Sequence, residues 1–249
     1  MLKKDKGICI RTTDYSESSQ ILTFFTAQNG KLSVIAKGAK KPKSFFSGPI
    51  ELCTAGDMVF SLRDGEKLGT LTEFNPTFFG FALRKKLFAL NCGFFACELL
   101  NLFTKELDPH PTMFNEAVLF LQRLEESPDN KILPFLILFQ FALLSEAGSK
   151  PLCDCCVNCK KKFADNWREF FFSLSANGFI CRDCESAFID KKKISGECAK
   201  CLNQSAKILN CDNKVLVEMQ NLLIEYITHI LERPMRTASM ILKLMNVLK

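Results

Sequence analysis

The sequence predicts an α+β multi-domain protein: a small N-terminal β-barrel, an α-helical domain and a zinc-binding module embedded within the helical part. Three observations carry this. Short β-rich runs punctuated by glycine turns fill the first seventy-odd residues, the hydrophobic period becomes helical after Pro76, and two CxxC knuckles interrupt the helical pattern. The boundaries so drawn are 1–78 for the barrel, 79–152 for the first helical part, 153–205 for the cysteine-rich module and 206–249 for the C-terminal helical part.

In the first segment, "GICIRT", "ILTFFTA", "KLSVIAKG", "IELCT", "DMVFSL" and "LGTLTEF" read as strands, separated by Asn29-Gly30, Gly48-Pro49 and Asp64-Gly65. About five or six strands in so short a stretch suggest a closed barrel, which removes exposed edges; the OB-fold is the common solution of this length that also binds single-stranded nucleic acid. The pattern alone leaves an SH3-like barrel open.

Leu83, Leu87, Leu90, Phe94, Cys97 and Leu100 then recur at three- and four-residue spacing, and Phe114, Val118, Leu121 and Leu124 repeat the pattern after Pro109-His110-Pro111. A third helix is expected from near Lys131 to Ala147 with Gly148 as its stop. Asp212 is placed as the N-cap of a helix burying Leu216, Met219, Leu223, Tyr226 and Ile230, ended by Pro234, and the tail from Arg236 to Leu248 forms one more. The helical parts on either side of the insert are expected to share one core.

The insert carries Cys156-Val157-Asn158-Cys159 and Cys181-Arg182-Asp183-Cys184. Two thiols at i and i+3 turn inward on a tight knuckle, and two knuckles supply the tetrahedral sulfur set of a closed structural zinc site, with no position open for catalysis. Between them, "FFFSLSANGFICRDC" has strand-like aromatics and an Asn177-Gly178 turn, as in a zinc ribbon. One structural zinc on Cys156, Cys159, Cys181 and Cys184 is therefore expected. The first knuckle is ambiguous in register, since Cys153 with Cys156 is also CxxC, and Cys198 with Cys201 could substitute or form a second partial site. Cys9, Cys53, Cys92, Cys97 and Cys211 read as small buried apolar residues.

Composition bounds the rest. An odd count of 13 Cys and a start without an apolar secretory stretch argue against a disulfide framework and for a reducing, cytoplasmic setting. The apolar run Phe135 to Leu144 is broken by Gln140 and too short to span a bilayer, so no membrane is expected. His110 and His229, far apart, read as structural; no P-loop, dinucleotide fingerprint, GxSxG, carboxylate pair or zinc-deaminase HxE is present, so no enzyme is expected. The net charge of +6 is uneven: Lys31, Lys37, Lys40, Lys41 and Lys43 fall between Lys31 and Ile50 with no acid among them, a block able to hold polyphosphate.

Taken in order, "IRTTDYSESSQILTFFTAQNGKLSVIAKGAKKPKSFFSG", "LDPHPTMFNEAVLFLQRL", "FQFALLSEAGSKPLCDCCVNC", "FFSLSANGFICRDC" and "YITHILERPMR" resemble the bacterial RecO family of recombination mediators nearly end to end. Cys198 and Cys201 lie outside the family pattern, and Ala238 and Ser239 stand where basic residues are often found. The resemblance implies an OB barrel, a helical domain and a zinc module. It also implies binding of single- and double-stranded DNA, strand annealing and work with RecR to place RecA on strands coated by single-stranded DNA-binding protein (SSB), in the bacterial cytoplasm at the nucleoid. In that setting Lys37, Lys40, Lys41 and Lys43 are expected to neutralise phosphates, and Phe45 and Phe46 to stack bases, with Arg11 and Lys31 as additions. The acidic, apolar-tipped SSB tail is expected to meet Arg84, Lys85, Lys86, Arg123 and Lys131 on the helical domain. The alternative is another nucleic-acid module of OB barrel plus zinc ribbon, bound to RNA or associated with transcription.

Overall fold

A computed structural model of the chain describes residues 1–249 apart from Ser47, Phe79, Phe81, Asp165, Leu248 and Lys249 and the side chains of Asn246 and Val247. Two compact units form, Met1–Asp129 and Asn130–Lys249. The division falls inside the 79–152 segment, because the first two helices pack with the strands that precede them.

In the first unit, β1 (Leu2–Asp14), β2 (Gln20–Thr26), β3 (Gly30–Ala36), β4 (Ala55–Ser61) and β5 (Leu68–Phe78) close in the order β1-β2-β3-β5-β4, with β4 pairing back on β1. Every pairing is antiparallel except β3 with β5. This ring is consistent with the OB-fold expected above. Strict alternation along β3 turns Leu32, Val34 and Ala36 inward, where they meet Phe24, Met58, Phe60, Leu71 and Phe74. The Asn29-Gly30 turn is secured by the mostly buried Asp5, whose carboxylate accepts from the Gln28 and Asn29 backbone N–H groups and from Asn29 Nδ2 at 2.7–3.2 Å.

One expected strand does not form. "IELCT" is a turn, with Cys53 in the left-handed region at φ 65°. Its backbone docks on β1, Cys53 N–H donating to Cys9 O and Cys9 N–H to Thr54 O at 3.0 and 2.9 Å. These bonds fall at the bulge between Cys9 and Arg11, so the segment is satisfied without becoming a strand.

α1 (Leu87–Phe103) and α2 (Pro111–Glu126) follow. Of the predicted stripe, Leu83, Cys97 and Leu100 are buried, but Leu87 is exposed and Leu90 and Phe94 half-buried, while Phe88, Ala89, Cys92, Phe95, Ala96 and Leu99 are buried beside them. A helix apolar nearly all round offers no periodic contrast from which to choose a face. Cys97 does face inward, its thiol donating to Cys9 O on β1 at 3.9 Å.

The second unit contains α3 (Ile132–Glu146), β6 (Phe170–Ser173), β7 (Gly178–Ile180), β8 (Lys191–Ile194), α4 (Gly196–Asn203), α5 (Asn213–Leu231) and α6 (Ala238–Val247). Gly148, at φ 65°, stops α3 in a Schellman arrangement, with Ser149 N–H donating to Leu144 O and Gly148 N–H to Ser145 O. Asp212 is the N-cap of α5, although its side chain makes no capping bond, and α5 ends at Leu231 before Pro234 is reached. Leu216, Met219, Leu223 and Tyr226 are buried as predicted, Ile230 is half-buried, and His229 is exposed. The predicted tail helix is α6; Leu248 lies outside the described residues. No helix among the described residues is long and apolar enough to cross a membrane.

Gln140, which interrupts the apolar run of α3, faces Gln220 of α5. Their side-chain amides exchange two hydrogen bonds, 2.7 and 3.2 Å, with both residues fully buried. Gln140→Leu should destabilise the second unit by about 1–3 kcal/mol, because Gln220 is then buried without its partner. Gln140→Leu/Gln220→Leu should recover most of that loss in denaturant unfolding; equal losses in the single and double variants would contradict the pairing.

Candidate metal centre and basic loop

The knuckles meet because the segment before the first one runs beside β7. Leu152 N–H donates to Asn177 O, Phe179 N–H to Leu152 O and Val157 N–H to Phe179 O, all at 2.8–2.9 Å. The approach is close: a Cβ on Gly178 would lie 2.3 Å from Leu152 O and 2.8 Å from Val157 Cγ1. β7 pairs with β6 and β6 with β8, and Phe163, Trp167, Phe170 and Phe179 make a small aromatic cluster with ring centroids 5.6–6.0 Å apart.

The sulfurs of Cys156, Cys159, Cys181 and Cys184 all lie within 4.8 Å of one another. This settles the register left open by the sequence, for Cys153 and Cys155 stand outside the group. Cys181 N–H points at Cys156 Sγ at 3.4 Å, Asn158 Nδ2 at Cys184 Sγ at 3.3 Å, and the Cys159 and Cys181 sulfurs are 3.7 Å apart. Burial pushes the Cys156 thiol up, but N–H groups of Cys181, Cys159 and Asn158, with the Cys159 thiol, outweigh it and hold it at about 7. Burial and then the neighbouring thiols of Cys159, Cys184 and Cys156 push Cys181 up to about 12. So crowded a set cannot ionise together without a cation at its centre. Four soft sulfur donors suit a divalent zinc ion, which would fill the site and leave no coordination position free.

The remaining cysteines divide. Cys9, Cys53, Cys92 and Cys97 are buried as predicted. Cys211, expected to be another, is instead joined to Cys201, a disulfide that the reading of a reducing framework did not foresee.

The basic stretch leaves β3 and returns to β4 as a loop pinned to the barrel. Ala39, Phe46 and Ile50 insert into the barrel core, and the Gln20 side chain clamps Ile50 through both its backbone groups at 2.9 and 3.3 Å. Lys37, Lys41 and Lys43 face outward, and Phe45 is 99% exposed. The two phenylalanines thus differ: Phe46 is only 7% exposed and its ring is packed inside the barrel, so this conformation offers no face of Phe46 to a base. Lys40 is half-buried and paired with Asp14 at 2.9 Å.

Arg11 is exposed on β1, whereas Lys31 reaches back to donate to Asn101 O on α1 at 2.7 Å. Lys31 is the second residue of β3 and Lys37 follows its end, so six residue steps put them roughly 20 Å apart. Of the residues suggested for an acidic tail, Arg84 pairs with Glu51 and Lys86 donates to Glu125 O and Ser127 O, capping α2. Lys131, in the other unit, donates to Leu209 O, and Lys85 is exposed. Sequence reasoning missed Asp5 and Gln20, whose types signal nothing locally; only pairing across the barrel gives them partners.

Cys181→Ser should leave the protein with less bound metal, lower solubility of the second unit and an unchanged barrel, measured by metal analysis and limited proteolysis. Gly178→Ala removes no ligand, yet it should weaken metal retention against a chelator by pushing the first knuckle off β7; unchanged retention would show that this contact does not position the ligands.

The comparisons with known proteins divide the chain at the end of the barrel strands. The chain matches the model described as Recombination protein O N terminal over residues 1–78 and that described as Recombination protein O C terminal over residues 84–238. It is 35% identical over 202 residues to the DNA repair protein RecO of Bacillus pumilus, covering 81% of this chain and 76% of that protein. To the protein of the same name from Bacillus subtilis it is 34% identical over 184 residues, 74% of this chain and 69% of the relative, and to that of Listeria monocytogenes 32% over 183 residues with the same coverages. A barrel matched throughout, a C-terminal model that spans the cysteine knuckles and relatives of one name over most of their length lead to one conclusion: the chain belongs to the RecO family of DNA repair and recombination proteins.

Proposed function

We propose that the chain is a recombination mediator without enzymatic activity of its own. In this reading it binds single- and double-stranded DNA through the OB-fold barrel of residues 1–78, anneals complementary strands and, with RecR, helps to place RecA on SSB-coated strands in the bacterial cytoplasm. The observation that carries this is the loop after β3, which buries Ala39, Phe46 and Ile50 while presenting Lys37, Lys41, Lys43 and Phe45 to solvent. Side chains anchored from below hold their exposed neighbours in place, and a groove that tracks phosphates beside an aromatic face for bases is how single strands are held without regard to sequence. Lys40 contributes once its pairing with Asp14 is exchanged for phosphate. Arg11 extends the same face, and Lys31 serves the barrel's attachment to α1 more than DNA. One structural zinc on Cys156, Cys159, Cys181 and Cys184 maintains the ribbon, and the SSB tail meets the basic residues of the helical segments.

Each lysine that neutralises a phosphate of a single strand contributes about 0.7 to the slope of log affinity against log salt. Replacing Lys37, Lys40, Lys41 and Lys43 together by Ala should flatten that slope by roughly two to three and weaken binding alike for all sequences. Phe45→Ala should weaken single-strand binding by about 1–3 kcal/mol with the slope nearly unchanged. Phe46→Ala should instead destabilise the barrel by about 3–5 kcal/mol. The activity itself is tested by fluorescence annealing of SSB-coated complementary oligonucleotides, with RecR association measured alongside. A folded quadruple variant that keeps its affinity, salt slope and annealing rate places the DNA surface elsewhere.

A further inference from the structure

α4 is only eight residues long, below the length at which a helix is stable alone, so it depends on what fastens it. Four cysteines lie on it or are joined to it. Cys198 and Cys201 sit one turn apart on a common face of α4, and both are buried. The chain leaving α4 returns through residues 205–210 and brings the Cys211 sulfur onto that of Cys201. Cys153 arrives from before the first knuckle: its carbonyl accepts from Nδ2 of Asn203, the last residue of α4, at 2.9 Å, and its side chain is buried. None of these four belongs to the quartet already described.

We infer that Cys153, Cys198, Cys201 and Cys211 form a second closed four-thiolate metal site, which takes a structural Zn²⁺ when its cysteines are reduced. The Cα atoms of Cys201 and Cys211 are 7.6 Å apart, beyond the roughly 4.4–6.8 Å that disulfides span. A tetrahedral zinc about 2.3 Å from each sulfur would hold the sulfurs roughly 3.8 Å from one another, a bridge that tolerates this wider backbone separation. The disulfide employs two of the four thiols. Cys198 and Cys153 would then stay 0% and 7% exposed, with no hydrogen-bond partner for either sulfur among the described residues. A dication uses all four and turns each buried thiol into a ligand thiolate, its proton released to solvent.

The thiols of the first unit show the contrast. Cys53 and Cys97 also touch, at 3.4 Å, but the Cys9 and Cys97 sulfurs donate to backbone carbonyls, as packed structural thiols do. The α4 cluster instead has a CxxC pair and two further cysteines from separate segments, the pattern of a metal site.

The test is zinc per chain in the full-length protein purified with a phosphine reductant. Two ions are expected, falling to one in Cys211→Ser and in Cys198→Ser, to a different one in Cys181→Ser, and to none in Cys181→Ser/Cys211→Ser. One zinc in the wild type, lost with Cys181→Ser and kept with Cys211→Ser, overturns the second site while preserving the first. Cobalt titration of the reduced, metal-stripped wild type needs no variant. Thiolate-to-cobalt absorption that saturates at two equivalents supports the site, and saturation at one overturns it. Peptide mass spectrometry that finds the Cys201–Cys211 disulfide intact in reductant-treated protein also overturns it.

Discussion

Closure of the ring through β1 is the constraint on which the first unit depends. This strand serves two neighbours, pairing with β4 from Leu2 to Ile8 and with β2 from Gly7 to Asp14. No straight strand does both well, and the bulge at Cys9–Arg11 supplies the change of direction. Because β4 must begin beside β1 and not beside β3, the chain between Ala36 and Ala55 has to cross from one side of the ring to the other. The basic loop is that crossing. Its apolar residues enter the barrel core and its lysines are left in water, so the element that completes the core also forms the charged surface.

The second unit answers a different difficulty. Short strands β6, β7 and β8 and the eight-residue α4 bury little apolar surface of their own, and such modules usually need cross-links or metal to hold. Sulfur chemistry is concentrated where burial is thinnest. The helices have ordinary means: the reciprocal amide pair between Gln140 and Gln220, and Tyr226, whose ring meets Phe172 edge-on and whose hydroxyl donates to Ser149 O at 2.8 Å. That last bond ties α5 to the chain just after α3, at the entrance to the cysteine-rich stretch.

Much of this could be read in the sequence, because local rules are strict where backbone geometry is demanding. Asn29-Gly30 and Asn177-Gly178 mark turns that need a left-handed residue, and Gly30 and Asn177 take it up, at φ 68° and 57°. Gly148 stops α3, and CxxC spacing names a ligand pair before any fold is known. Weak periodicity leaves more to the tertiary structure. "IELCT" has the composition of a strand and became a turn, since its backbone found partners at the β1 bulge. On α1 an apolar helix hid which side it buries.

The sequence by itself determined most of the kinds of element, the presence of two cysteine knuckles and the basic character of the loop, all properties of residues close together in the chain. Only the tertiary structure decided which of Phe45 and Phe46 is available to a ligand, which of Cys153 and Cys156 opens the first knuckle, and that Lys31 is spent on α1. The turn that carries Phe45 and Phe46 seats one side on the barrel core and leaves the other in water, so neighbours in sequence meet opposite fates. Which side that is depends on residues far away in the chain.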